Sequence, residues 1–169
     1  TVAQLKTINA ETSGDITLSQ TGVALSGDSA DIALAFAGTV TPHTGAITVT
    51  NNDYTLAQLV TINDATSGDI TLNTTNVGLS GSSTNLAAAL AGSINSSGAV
   101  TVTNNNYTVA QLKTINAGTT GDITLNTTNV ALSGDSADIV LAFAGNVTGH
   151  TGAITITNND YTVAQLKTI

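Results

Sequence analysis

Two histidines, eleven carboxylates and a column of threonines are the residues with which this chain could do chemistry. His43 and His150 hold equivalent places far apart in the sequence, and Ser96-Ser97 stands where a third histidine would fall. A metal needs several ligands converging on one point, and a catalytic histidine needs a nucleophile and an orienting group beside it. Neither histidine has such company in the sequence, so both are expected to be solvated loop residues. No residue is therefore assigned a catalytic, cofactor-binding or metal-binding role, and no enzymatic activity is expected.

The carboxylates recur with more regularity. Asp15, Asp69 and Asp122 stand at the same turn in three repeats, and Asp53 and Asp160 close a corner in two of them. Stacked Asp and Asn side chains can bind calcium, which takes about six to eight oxygen ligands. Against that, Asp28 and Asp31 become Ser82 and Asn85 in the middle repeat, and Asp53 becomes Asn106. Helix capping and turn chemistry account for most of these residues, which leaves a calcium-stiffened linker as an alternative.

Threonine forms the most regular array. Thr17, Thr48, Thr71, Thr101, Thr124 and Thr155 share one position of a repeated phrase, and Ser19, Thr50, Asn73, Thr103, Asn126 and Thr157 form a less uniform second column. A flat ladder of Thr-x-Thr resembles the ice-binding face of some antifreeze proteins. The plainer account is that Thr suits a half-solvated strand. Asn-x-Ser/Thr triplets at Asn73, Asn95, Asn106, Asn126 and Asn146 match the glycosylation signal, although a chain so rich in Asn and Thr produces them by composition.

These residues are positioned by a repeat. YTLAQLVTIN begins at Tyr54, YTVAQLKTIN at Tyr107 and YTVAQLKTI at Tyr161, a period of about 53 to 54 residues. Inside each repeat the phrase [ST]-G-[DA]-[IV]-T-[LVI] occurs twice, its first apolar residue falling at Ile16, Ile47, Ile70, Val100, Ile123 and Ile154. The intervals alternate between about 31 and about 23 residues, within the range of solenoid coils. Self-similarity on this scale predicts an α/β repeat solenoid of six coils, with short parallel strand ladders and short helical segments.

The chain then reads as a single continuous array over 1–169, with repeats at 1–54, 55–107 and 108–161 and the start of a fourth at 162–169. In each coil Ile-Thr-Leu or its equivalent forms a strand, Ile16 and Leu18 facing inward and Thr17 outward. A corner and a second strand follow, with Val23 and Leu25 or Tyr54 and Leu56 facing inward. Thr55 and Gln58, like Thr108 and Gln111, fit a capping box that opens one or two helical turns. Asp28 is placed to cap the other kind of helix, with Asp31 in its first turn. Gly38, Gly92 and Gly145 should end those helices in the left-handed conformation. A second set, Gly14, Gly45, Gly68, Gly98, Gly121 and Gly152, should turn the chain back into its strand. Stacked in register, the six phrases predict one continuous ladder, with apolar residues exposed on both terminal coils.

Two resemblances follow from these phrases. ITLNTTNVAL at 123–132 is similar in architecture to leucine-rich repeats. YTVAQLKTINAGTTGDITLN at 107–126 resembles the repeat region of very large bacterial cell-surface proteins, especially those of cyanobacteria and related aquatic bacteria. That likeness implies an extracellular structural or adhesive role and supplies no catalytic residue.

Composition limits the partners. A net charge of −8, with three lysines and no arginine, disfavours contact with nucleic acid. No apolar run reaches the length needed to span a bilayer, so no membrane insertion is expected, and any export signal lies outside this stretch. Cysteine is absent, which rules out disulfides and thiolate metal sites. The function expected is that of a structural repeat segment at the cell surface or in an extracellular filament. It would act as a stalk, a spacer or a self-stacking fibre, whose partners are further repeats or copies of itself stacked head to tail. The alternatives are an ice-binding or adhesive solenoid, whose surface or glycan target is open, and the calcium-stiffened linker.

Overall fold

Ile-Thr-Leu, Val-Thr-Val and Leu-Ser-Gly alternate large apolar with small polar residues, so one face of each can be buried while the other stays wet. In the computed structural model, which describes residues 1–169, these phrases form eight short strands among seven short helices. The order is α1 (Val2–Glu11), β1 (Leu25–Gly27), α2 (Ser29–Ala35), β2 (Ile47–Val49), α3 (Leu56–Ala65) and β3 (Ile70–Leu72). It continues with β4 (Leu79–Gly81), α4 (Ser83–Ala89), β5 (Val100–Val102), α5 (Val109–Gly118) and β6 (Ile123–Leu125). The last elements are β7 (Leu132–Gly134), α6 (Ser136–Ala142), β8 (Ile154–Ile156) and α7 (Val163–Thr168).

Strands this short persist only by pairing with others. They pair in parallel into three sheets ordered β1-β2-β3, β4-β5-β6 and β7-β8. Register places Leu25 beside Ile47 and Ile47 beside Ile70, so their side chains form one inward row, while Ser26, Thr48 and Thr71 form the outward row next to it. The second sheet repeats this with Leu79, Val100 and Ile123 inward and Ser80, Thr101 and Thr124 outward.

The single ladder of six strands expected from the repeated phrase does not occur. Ile16 makes only an isolated bridge to Val40, while Ile47 stacks on Leu25, a residue from a different phrase. The phrase marks the first of two extended segments in one half of each repeat and the last one before a helix in the other half. Sequence likeness and structural equivalence therefore diverge. The helices give the truer period, since their starts at Val2, Ser29, Leu56, Ser83, Val109, Ser136 and Val163 are almost evenly spaced, at half the sequence period. The repeating α/β units are nearly equal in length rather than alternately long and short.

Each of the longer helices opens on the capping box read from the sequence, as does α7, with Thr1, Thr55, Thr108 and Thr162 accepting from the backbone N–H of Gln4, Gln58, Gln111 and Gln165. α1, α3 and α5 run ten residues, longer than the one or two turns expected. Asp28 holds the N-cap position of α2 but caps nothing, because its carboxylate accepts instead from the Thr50 hydroxyl at 3.0 Å. Ser82, its counterpart in the middle repeat, does cap α4. Gly38, Gly92 and Gly145 take φ of +74°, +76° and +76°, the left-handed turn that releases α2, α4 and α6.

The second glycine set has a different reason from the one expected. None of its members has positive φ. A Cβ on Gly98 would lie 2.0 Å from the Val77 carbonyl oxygen, and one on Gly68 2.3 Å from that of Gly45. Apart from Gly14, these glycines let the backbones of neighbouring units touch. Two further assignments change: Val23 is 51% exposed rather than inward, and Tyr54 is buried without belonging to a strand, while Leu56 is the first residue of α3.

The inward rows and the helix faces enclose one apolar cluster running through all three repeats, from Val2 and Leu5 through Leu59, Ile62, Leu112 and Ile115 to Ile139 and Ala142. Consecutive helices are neighbours from α1 to α7, so the helical layer is unbroken where the sheet layer is stepped.

Candidate functional site

Three kinds of polar side chain tie each unit to the next. Ser29, Ser83 and Ser136, the first residues of α2, α4 and α6, are fully buried. An asparagine one unit later meets each of them. Asn51 Oδ1 accepts from the Ser29 N–H at 2.8 Å, and its Nδ2 donates to Ser29 Oγ at 2.9 Å. Asn104 and Asn158 do the same for Ser83 and Ser136. The serine hydroxyl then donates onward to the glutamine of the next capping box, Ser29 to Gln58 at 2.9 Å and Ser83 to Gln111 at 2.8 Å. Both hydroxyls thus accept one bond and donate another, which avoids the cost of an unpaired polar group.

A second asparagine serves the other end of the same helices. Asn9, Asn63 and Asn116 donate to the carbonyls of Leu34, Ala88 and Leu141, which the helix ends leave without an intrahelical partner. The third tie is aromatic. Tyr54 Oη donates to the Thr74 carbonyl at 2.8 Å, and Tyr107 Oη to that of Thr127 at 2.6 Å. Sequence reasoning overlooked the serines and asparagines. The signal was present, for each keeps its identity in all three repeats.

The residues singled out for chemistry are dispersed by the fold. Asp31 pairs with Lys6 and Asp138 with Lys113; the middle repeat changes both partners together, to Asn85 and Val60. Asp53 and Asp160 accept from Asn51 and Asn158, and Asp122 accepts from Asn146 at 2.9 Å. No group of three or more His, Asp or Glu comes together. Thr48 and Thr71 share one sheet, Thr101 and Thr124 another, and Thr155 stands beside Ser133 in the third, so the outward column is divided into short sets.

The histidines depart most from expectation. His43 is only 2% exposed and stacks at a tilt on Phe36, with ring centroids 5.6 Å apart. Neither of its ring nitrogens has a hydrogen-bond partner. Burial lowers its pKa below the usual histidine value, and the nearby Val23 carbonyl opposes this without reaching hydrogen-bond geometry. His150 lies against Phe143, with the Tyr107 hydroxyl 3.4 Å from Nδ1, and burial lowers its pKa likewise. Both are core-edge residues at unit junctions, because the loop that carries them folds under the neighbouring unit instead of into solvent.

A concavity of roughly 680 Å³ lies beside α1 and is lined by Leu5, Ile8, Leu18, Val23, Leu25 and His43. No helix is long and apolar enough to cross a membrane. No family model, curated protein or solved structure matches the chain.

Proposed function

We propose that the chain is a structural segment of an extracellular surface protein, an α/β solenoid that acts as stalk or spacer and continues through further repeats or copies of itself. One observation carries this reading. The polar side chains common to the repeats are used to join one unit to the next, and they do not converge on a shared point. Such a molecule works mechanically: parallel ladders satisfy the backbone, apolar rows fill the axis, and nearest-neighbour contacts propagate the stack. A surface rich in Thr and Asn, with only three lysines and no arginine, offers few sites for basic-specific proteases and accords with an extracellular place.

The other readings have less support. Ice binding needs a long flat hydroxyl array, and the outward hydroxyls stand in three short sets. Calcium stiffening needs free carboxylates, and many here already accept bonds from protein donors.

The stalk reading is tested by fusing one, two or three copies of the array between a membrane anchor and a fluorophore on the outside of a cell. The fluorophore's height above the membrane, read by fluorescence interference, should rise by a constant step per copy. A height that does not change with copy number would remove the spacer role.

A further inference from the structure

The middle repeat departs from its neighbours in one loop. Between the glycine of positive φ that ends the short helix and the glycine packed on the preceding unit, the outer repeats carry six residues, 39–44 and 146–151, and the middle one five, 93–97. Both ends of the loop are held alike, since Gly92 takes φ of +76° and Ser96 bridges to Thr119 as His43 bridges to Thr66. A chain one residue shorter loses about 3.3–3.6 Å of reach. It cannot make the Ser96 bridge and also run beside the strand of the unit before it.

The consequence falls on the open edge of β3. In the first repeat the equivalent edge is closed by a threonine, whose hydroxyl (Thr41) accepts from the Leu18 N–H at 3.1 Å and donates to the Ile16 carbonyl at 3.2 Å. Thr148 does the same in the third repeat for Leu125 and Ile123, at 3.3 and 3.1 Å. In the middle repeat Asn95 stands at that position and makes neither bond, and only the Ile70 N–H is met, by the Ser93 hydroxyl at 3.3 Å. Because β3 bonds to β2 through the Asp69 carbonyl and the Asn73 N–H, alternation turns the Ile70 carbonyl and the Leu72 N–H to the opposite edge. There they meet a polar cleft of roughly 360 Å³ whose rim is Asp69, Thr71, Thr75, Ser93 and Asn95. The Asp122 carboxylate accepts from Asn146, but the Asp69 carboxylate faces Ser93 in that place and accepts no bond from the protein.

We infer that this cleft binds a saccharide, one of whose hydroxyls takes the part that Thr41 and Thr148 play in the outer repeats. A hydroxyl can accept from an N–H and donate to a nearby carbonyl at once, and it does so at both equivalent edges. Further hydroxyls on the same ring suit the Asp69 carboxylate, which accepts, and the Asn95 amide, which accepts and donates. The rim carries one carboxylate and no cation, which disfavours a phosphate, a sulfate or an acid. An extended peptide suits it less. Ile94, the counterpart of Val40 and Val147, is itself buried, and Ser93 already meets the Ile70 N–H, so the apolar and carbonyl places of an added strand are taken. The volume falls in the lower part of the usual range for small-ligand sites, about 300–1,000 Å³. The cleft lies within the array, between the first and third repeats, and the inference is independent of the stalk reading.

The test is an NMR titration of the isotope-labelled chain with the methyl glycosides of glucose, galactose, mannose and fucose. At least one should shift the Leu72 amide saturably in the millimolar range and leave the Leu125 amide unmoved, because Thr148 already holds the equivalent place. Asp69→Asn, an exposed change, should weaken that binding about three- to tenfold, the difference between a charged and a neutral acceptor. Asn95→Thr with a glycine inserted after it recreates Thr148-Gly149, closes the edge, and should abolish the shift. No saturable shift with any of the four glycosides, equal shifts at Leu72 and Leu125, or binding untouched by Asp69→Asn and by closure of the edge would overturn the site. Tighter binding of acetyl-Asn-Val-Thr-amide, the sequence of residues 146–148, would overturn the saccharide and assign the edge to a peptide strand.

Discussion

Burial of an imidazole with no hydrogen-bond partner penalises its charged form, which is why His43 and, with only one long contact to Tyr107, His150 titrate below the usual histidine value. Because the folded state prefers the neutral ring, stability from this source is complete above the unfolded value of about 6.5 and falls as pH drops from there through the lowered folded values. Replacing both residues with serine, the residue at the equivalent Ser96, should flatten the decline in melting temperature between about pH 6.5 and 5. An unchanged slope would show that protonation of these rings does not matter to the fold. The burial itself was not legible in the sequence, since the loop looks polar and what covers His43, Phe36 above all, is brought there by tertiary packing. The capping boxes were legible because Thr55 and Gln58 interact within one turn and need nothing from elsewhere. The Asn–Ser–Gln ties lay between these cases: the residue types recur visibly, but their meeting depends on a stacking distance of one unit.

At the scale of elements, strand phrases, helix starts and glycine stops were readable as local patterns, whereas the choice of which strand stacks on which was not. Ile16 and Ile47 share a phrase, yet Ile47 pairs with Leu25, because the two halves of the repeat place the phrase at different distances from the next helix. The glycines before the strands make the stacking testable. Gly98→Ala would drive a methyl group to 2.0 Å from the Val77 carbonyl oxygen, so units must separate, and a loss of about 1–3 kcal/mol is expected from overpacking alone. Gly14→Ala is the control, for its nearest neighbour is Thr12 Oγ1 at 3.5 Å, ordinary contact. Thermal melts should rank Gly98→Ala well below Gly14→Ala and wild type; equal losses would mean that the close approach of units does not matter to stability.

For the whole molecule, the period read between Tyr54, Tyr107 and Tyr161 holds, each period providing two α/β units of nearly equal length. What the period could not reveal is the division of the strands into three sheets beneath a continuous helical layer. The division arises because each repeat opens a new strand row, at Leu25, Leu79 and Leu132, that the row before it does not extend. Contacts remain between adjacent units, so stability should be a sum over units and their junctions. The central claim, that the stack of repeats is itself the functional object, is tested most directly by removing the middle repeat, positions 55–107, which joins Tyr54 to Thr108 in the phrase found at Tyr107-Thr108. The shortened protein should give the same per-residue far-ultraviolet circular dichroism, melt cooperatively, and be shorter by a third in its maximum dimension by small-angle scattering. An unfolded product, or a folded one of undiminished length, would contradict a molecule built from interchangeable stacked units.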